Sequence, residues 1–371
     1  MMKKILVAVA DYPNNEGNTS MMFVHIRNKY YIQHGIEVTV LNFKAENEYI
    51  FDGIQVISRT EYKKTNIPYD VLVMHAPNIR NHYRFLICNE KFFTRILFFF
   101  HGHEILKINE VYPKPYYYLK EKNRARKAIQ GMYDNYKLYL WRRYFPKIAF
   151  KSDFVFVSHS LFSEFKKYVK LSEANLLNHV HIINNSVGHI FETEQYSSTG
   201  TKDYDFITIR SDIDSSVYCV DLVCKLAERF PNKNFLLIGK GRWFQHNNKP
   251  LNITWIDQKL SHGDLIRCVD NSRYALMLTR RDTQGVMACE LATYGIPLIT
   301  SDLKVCKEMF QDFENVQMCS NDFNKLNLDK ICSRLEQNRT NRKNDKFGYY
   351  NTVFREELLI KQIKENESDY R

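Results

Sequence analysis

The 371-residue chain has no C-x-x-C pair; its eight cysteines stand apart at 88, 219, 224, 268, 289, 306, 319 and 332. That scatter argues against a zinc site or a disulfide framework and for a reducing cytosol. No apolar run approaches the length of a membrane-spanning helix. The run Ile5 to Ala10 after Met-Met-Lys-Lys is too short for a secretory signal and meets Asp11, so a buried first strand is expected. The loop after it lacks G-x-G-x-x-G, which removes the dinucleotide fingerprint. Acidic charge is also short: 42 Asp and Glu face 53 Lys and Arg, a net charge of +11. A surplus of that sign implies an anionic partner: nucleic acid, anionic lipid or a phosphorylated ligand.

What is present describes an ordinary folded protein, 44% hydrophobic and 26% charged, long for one core and comfortable for two. Lys3 to Ala10 reads as a strand, Asp11 to Ser20 as a turn-rich loop, Met21 to Gln33 as a helix and Ile36 to Leu41 as the next strand. This is a nucleotide-fold half unit. Further strands follow at Tyr69 to His75, Phe93 to Phe100 and Asp153 to Ser158. The polar stretch Thr193 to Asp203 reads as a linker. A second α/β series begins at Tyr204, with strands at Phe206 to Ile209, Asn234 to Gly239, Asn252 to Ile256 and Tyr274 to Leu278. Val353 to Glu367 reads as a final amphipathic helix.

The most informative stretch is Asp282 to Ser301. A carboxylate stands three residues before Gly285, an apolar helical run carries Glu290, and Gly295 with Pro297 ends it. Leu298 to Thr300 then reads as a strand. A loop of that kind at a helix N-terminus suits a phosphate, because free amides and the positive dipole end favour an anion. The plainer reading is a buried helix with one capping Asp and one solvated Glu.

This stretch resembles the nucleotide-sugar-binding segment of retaining glycosyltransferases of the two-domain GT-B fold, glycosyltransferase family 4. Glu290, Ala292, Gly295, Pro297 and Ile299 match the second half of the family's pattern; Asp282 and Gln284 depart from the Glu and Phe of the first half, and Gly285 is kept. The resemblance implies an α/β chain with two Rossmann-like domains facing across a cleft. We expect an acceptor domain over 1–192, a donor domain over 204–349 and a terminal helix, 350–371, crossing back. Tyr12-Pro13 and Gly17 resemble the family's first loop, where the glycine lies near donor phosphates; a plain tight turn is the alternative. His101 stands where the family holds a histidine near the transferred sugar, the bland reading being a structural or solvated His. His181 to Val187 resembles an Ile-x-Asn-Gly-Val segment with Ser186 for the glycine. Arg210 stands where the family places an arginine for the diphosphate; the alternative is an ion pair with Asp212 or Asp214. The lysine usual five residues on is Ser215, and Lys240 or Arg281 could restore its charge. Asp212-Ile-Asp214 spells D-x-D, but its context is another fold, and no metal is expected.

Residues 114–151 hold eleven Lys or Arg against Glu121 and Asp134, with Tyr, Trp and Phe interleaved. Two helices with basic faces and aromatic edges suit an anionic membrane surface. Nucleic-acid binding and two ordinary solvated helices are the rival readings. By resemblance, the chain moves a sugar from a nucleotide-diphosphate donor, most often a UDP-sugar, to a hydroxyl of a glycan or lipid-linked acceptor, with no cofactor. His101, Asp282 and Glu290 would act at the sugar and ribose, and Gly17, Arg210, Lys240, Gly285, Val286 and Glu290 would hold the donor. Bacterial surface-polysaccharide assembly, in the cytoplasm or peripherally on the inner face of the cell membrane and without nucleic acid, is the implied setting. A non-catalytic nucleotide-sugar or partner-binding protein of the same fold is the alternative.

Overall fold

The computed structural model describes residues 3–18, 20–65, 67–119, 124–171, 176, 179–337 and 343–362. The chain forms two compact units: Met1–Asn109, Ala128–Ser186 and Gly348–Arg371 in unit 1, Glu110–Lys127 and Val187–Phe347 in unit 2. The division falls after Ser186 rather than after 192, and the expected linker packs within unit 2, where Tyr196 N donates to Tyr294 O (2.8 Å).

Unit 1 holds strands β1 (Lys3–Val9), β2 (Ile36–Asn42), β3 (Tyr49–Phe51), β4 (Ile54–Ile57), β5 (Val71–His75), β6 (Arg95–Phe100), β7 (Ser152–Phe156) and β8 (Val180–Ile182). They make one sheet in the order β3-β4-β2-β1-β5-β6-β7-β8. Every pair is parallel except β3 with β4. A parallel sheet covered on both faces needs apolar residues at every position, and Ile96 to Phe100 of β6 have no exposed surface. The short pairs β3–β4 and β8 lie outside the expected strands, since three or four residues carry too little periodicity to stand out.

The expected two basic helices are one, Arg124–Ile148. Its buried side is set by Leu138, Trp141, Phe145 and Ile148, spaced three or four apart as a helix face requires. Trp141 and Phe145 stack at 4.7 Å, and both rings meet Phe98 of β6. Lys137 does not face solvent: its ammonium pairs with Asp134 (2.9 Å) and donates to His103 O (2.8 Å) and Leu106 O (2.7 Å). The pair thereby fixes the loop that follows β6.

The helix Val353–Lys361 belongs to unit 1 and is tied there by a fully buried charge cluster. Arg27 Nε donates to Glu356 Oε1 (2.9 Å), Tyr31 Oη to Glu356 Oε2 (2.6 Å), and Arg27 Nη2 to Asn185 Oδ1 (2.8 Å).

Unit 2 holds β9 (Tyr204–Asp212), β10 (Phe235–Lys240), β11 (Ile253–Ile256), β12 (Ser272–Met277), β13 (Leu298–Ser301) and β14 (Val316–Cys319), all parallel in the order β11-β10-β9-β12-β13-β14. Counted from β9 this is 3-2-1-4-5-6, the doubly wound order. The direction of winding reverses between β9 and β12, and a crevice opens beyond the carboxyl ends of strands at such a point. Ile207 and Ile209 pack on one side of the sheet and Phe206 on the other, each in its own core.

The Arg27–Glu356 pair can be tested by urea unfolding. Removing one partner strands a buried charge, so Glu356→Ala is expected to cost roughly 3–5 kcal/mol. Arg27→Met combined with Glu356→Leu should cost less than either single loss. A double variant as unstable as the sum of the two singles would contradict the pairing.

Candidate functional site

Two features meet where unit 2's winding reverses, and a third lies one turn into the helix that follows. The first is Arg210, near the carboxyl end of strand β9, with only 9% of its surface exposed. Its Nη2 donates to Leu278 O at the end of β12 (2.6 Å), which bridges the two strands that flank the reversal. Its carbon Cζ lies 4.9 Å from the centre of the Tyr218 ring. Its Nε is buried and has no hydrogen-bond partner among the described residues. Burial pushes the guanidinium pKa down, and Tyr218 and Asp282 push it back up. The surface ion pair with Asp212 or Asp214 is not formed: Asp214 accepts from Tyr118 Oη (2.6 Å) and Arg242 N (2.9 Å) instead.

The second feature is the loop from Asp282 into the helix Val286–Tyr294. Asp282 Oδ1 accepts from Thr283 N (2.8 Å) and Gln284 N (3.2 Å). Burial pushes this carboxyl's pKa up, and the amides of residues 283–285 with Arg210 pull it back. Gly285 has φ +75°, and a Cβ there would lie 2.8 Å from Asp282 Oδ2. Only glycine permits both the left-handed backbone and that approach. The loop amides of Thr283 and Gln284 are therefore already engaged by Asp282. Val286, at the first helical position, begins the amides that have no acceptor within the helix.

Glu290 is the third, one turn into that helix and 3% exposed. Gly188 N donates to its Oε1 (3.1 Å). Burial pushes its pKa up to about 7. A Cβ on Gly188 would meet the His262 ring at 3.1 Å and Glu290 Oε1 at 3.3 Å. Gly188 and His262 were missed in the sequence. Gly188 follows the Asn185-Ser186-Val187 segment and was legible as a glycine opening a helix; His262 carried no signal.

Lys240 lies on the neighbouring strand end, exposed, opposite Asp212. Gly239 before it has φ +148°, and a Cβ there would fall 2.1 Å from Arg210 O. Arg281 Cζ lies 6.0 Å from the Tyr112 ring. Arg280 instead makes the strong pair, its Nη1 and Nη2 reaching Asp221 Oδ1 (2.9 Å) and Oδ2 (2.6 Å). Tyr116 Oη also donates to Asp221 Oδ1 (2.9 Å), and the Tyr116 ring lies 4.4 Å from Trp243. Tyr116 and Tyr118 thus strap residues 116–119 onto the unit 2 sheet beside the β9 and β12 loops.

Two expected residues lie in unit 1. Gly17 is exposed with φ +93°, in a turn closed by Asn14 Oδ1, which accepts from Glu16 N (3.1 Å) and Asn18 N (3.0 Å). His101 follows β6, and its Nε2 meets His75 Nδ1 at 3.2 Å. Its ring centre lies 4.7 Å from that of Phe23. Burial, with Arg27 nearby, holds the His101 pKa well below its ordinary value. Among the described residues no group of three His, Cys, Asp or Glu could hold a metal ion.

No protein-family model and no curated protein sequence matches this chain. Solved structures do. Sucrose-phosphate synthase from Thermosynechococcus elongatus superposes with a TM-score of 0.69 at 12% identity, covering 98% of this chain and 100% of that one. A glycosyltransferase from Rickettsia africae gives 0.67 at 11%, covering 98% and 99%. WaaG, a glycosyltransferase involved in lipopolysaccharide biosynthesis, gives 0.62 at 10%, covering 96% and 100%. At such identities the likeness shows the fold, and the fold is GT-B.

Glu290 yields a pH test. Its pKa is about 7 when folded against an ordinary 4.5. Between these values the folded chain keeps a proton that the unfolded chain has shed, so stability falls as pH rises through about 7. Glu290→Gln, which cannot ionise, should be more stable than the natural chain by on the order of 3 kcal/mol at about pH 8. The difference should vanish near pH 4.5. A difference that does not change with pH would show that burial does not control this carboxyl.

Proposed function

We propose that this chain is a retaining glycosyltransferase that moves a sugar from a nucleotide-diphosphate donor to a hydroxyl of a glycan or lipid-linked acceptor. The observation that carries the reading is Arg210: a buried guanidinium with an unmet Nε, at the reversal of a doubly wound sheet, beside a helix N-terminus. A buried charge with an unsatisfied donor is costly to maintain, and a diphosphate there would answer it with paired oxygens.

In this reading Arg210 and the Val286 amide offset the charge that grows on the leaving diphosphate, the electrostatic role that most lowers such barriers. Glu290 keeps Oε2 for the ribose hydroxyls. Asp282 spends Oδ1 on its own loop and offers Oδ2 to a sugar hydroxyl. Lys240, exposed on the adjoining strand end, adds positive charge. The donor reading rests on unit 2 alone; Gly17 and His101 carry no part of it. Uridine diphosphate sugars are the first donors to try, and WaaG's part in lipopolysaccharide biosynthesis supports a surface glycan as product.

A thermal-shift screen across nucleotide sugars tests this. A donor at roughly 100 times its dissociation constant adds about 2.7 kcal/mol. The natural chain should be stabilised by at least one nucleotide sugar, and Arg210→Met should lose that gain. Slow release of nucleotide from the stabilising donor identifies an enzyme; stabilisation with none identifies a binding protein of the same fold. No shift with any nucleotide sugar would overturn the reading.

A further inference from the structure

The side of the helix Arg124–Ile148 that faces away from the core is not polar. Ile129, Met132, Tyr136 and Tyr139 are each more than half exposed, as is Phe150 just beyond the helix. Their spacing of three and four residues puts the first four on one stripe, opposite Leu138, Trp141, Phe145 and Ile148. A helix that is apolar on both sides expects a second partner. A contiguous exposed apolar surface of this kind marks an interaction site.

Charge says which partner. Arg143 and Lys147 lie on the same exposed side, and Arg143 Cζ sits 5.8 Å from the Tyr139 ring centre. Asp134 is the only acidic residue from 124 to 151, and it is buried against Lys137. The patch continues into the turn Glu90–Phe92: Tyr144 Oη and Lys151 Nζ both donate to Glu90, and Lys91 and Phe92 beside it are exposed. The outward face therefore mixes tyrosine, phenylalanine and aliphatic groups with lysine and arginine, and shows solvent no carboxylate from this helix.

We propose that this face docks unit 1 on an anionic phospholipid bilayer, with the helix lying in the interface. Amphipathic rings sit at headgroup depth, where the ring is dry and the hydroxyl wet, while neighbouring cations meet lipid phosphates. A second copy of this chain fits worse, since its own face would bring more positive charge and, as acidic group, only the half-buried Glu90 that Tyr144 already engages. No helix among the described residues is long and apolar enough to cross a membrane, so the mode is surface attachment. The surface is narrower than the whole segment 114–151, because Tyr116, Tyr118, Lys137 and Trp141 are committed inside the protein. This inference does not depend on the donor reading.

Co-sedimentation of the full chain with vesicles tests it. Binding is expected to phosphatidylglycerol–phosphatidylcholine vesicles and not to phosphatidylcholine alone, falling at least tenfold in roughly 0.5 M salt. Tyr136→Ser with Tyr139→Ser should weaken binding about tenfold. Arg143→Glu with Lys147→Glu should weaken it on the order of 100-fold. All four positions are solvent-facing, and unchanged melting curves would show that both variants fold. Equal binding to neutral vesicles, binding unmoved by either variant, or a dimer that these variants dissociate without vesicle binding would overturn the proposal. So would binding of an oligonucleotide in preference to the anionic vesicles.

Discussion

A guanidinium buried at a strand end must have its charge answered, and much of unit 2 is arranged around that need. Arg210 is partly met by Leu278 O, by the Tyr218 ring and by the field of Asp282. Each comes from a different segment, so the position of one side chain ties β9 to β12 and to the loop that opens the next helix. Gly239 lets β10 pass against Arg210's carbonyl, and Gly285 lets Asp282 curl over its own loop. The guanidinium is thereby held in one place by groups from three segments, the condition under which a fixed charge acts on an anion without rearranging.

Glu290 shows the opposite balance. It sits in an apolar helix with one amide for company, and burial holds its proton to near-neutral pH. A carboxyl kept in such a place costs the fold stability as pH climbs from its ordinary value to about 7, and perturbed carboxyls of this kind cluster at functional sites. The ion pairs of unit 1 differ in kind. Arg27 with Glu356 and Lys137 with Asp134 are saturated by further hydrogen bonds, so they fix elements in place and leave nothing for a ligand.

The doubly wound character of both halves was legible because long parallel strands are continuous apolar runs, and Gly295 did close its helix in the left-handed region. The second half of the 282–301 motif carried the GT-B resemblance, which the structural neighbours support at the level of fold. What sequence order could not carry was long-range pairing. Tyr116 and Tyr118 looked like part of an aromatic–basic membrane helix, yet their hydroxyls find Asp221 and Asp214 about a hundred positions away. Lys137 was counted as surface charge because its partners, two carbonyls thirty or so residues upstream, leave no local pattern. His262 packs beside Gly188, 74 positions away in sequence, for the same reason unseen. The aromatic–basic character of 114–151 was legible, but which of its rings face outward was not, since tyrosines at helical spacing read as core on either side.

The central claim is that unit 2 binds a diphosphate through Arg210, and calorimetric titration of the natural chain and Arg210→Lys with uridine, uridine monophosphate and uridine diphosphate tests it most directly. The account predicts that affinity rises with each phosphate in the natural chain. It also predicts that most of the gain from the second phosphate disappears in Arg210→Lys, since a lysine cannot present the forked donor. Affinity that does not depend on the number of phosphates, or that is unchanged by Arg210→Lys, would contradict it.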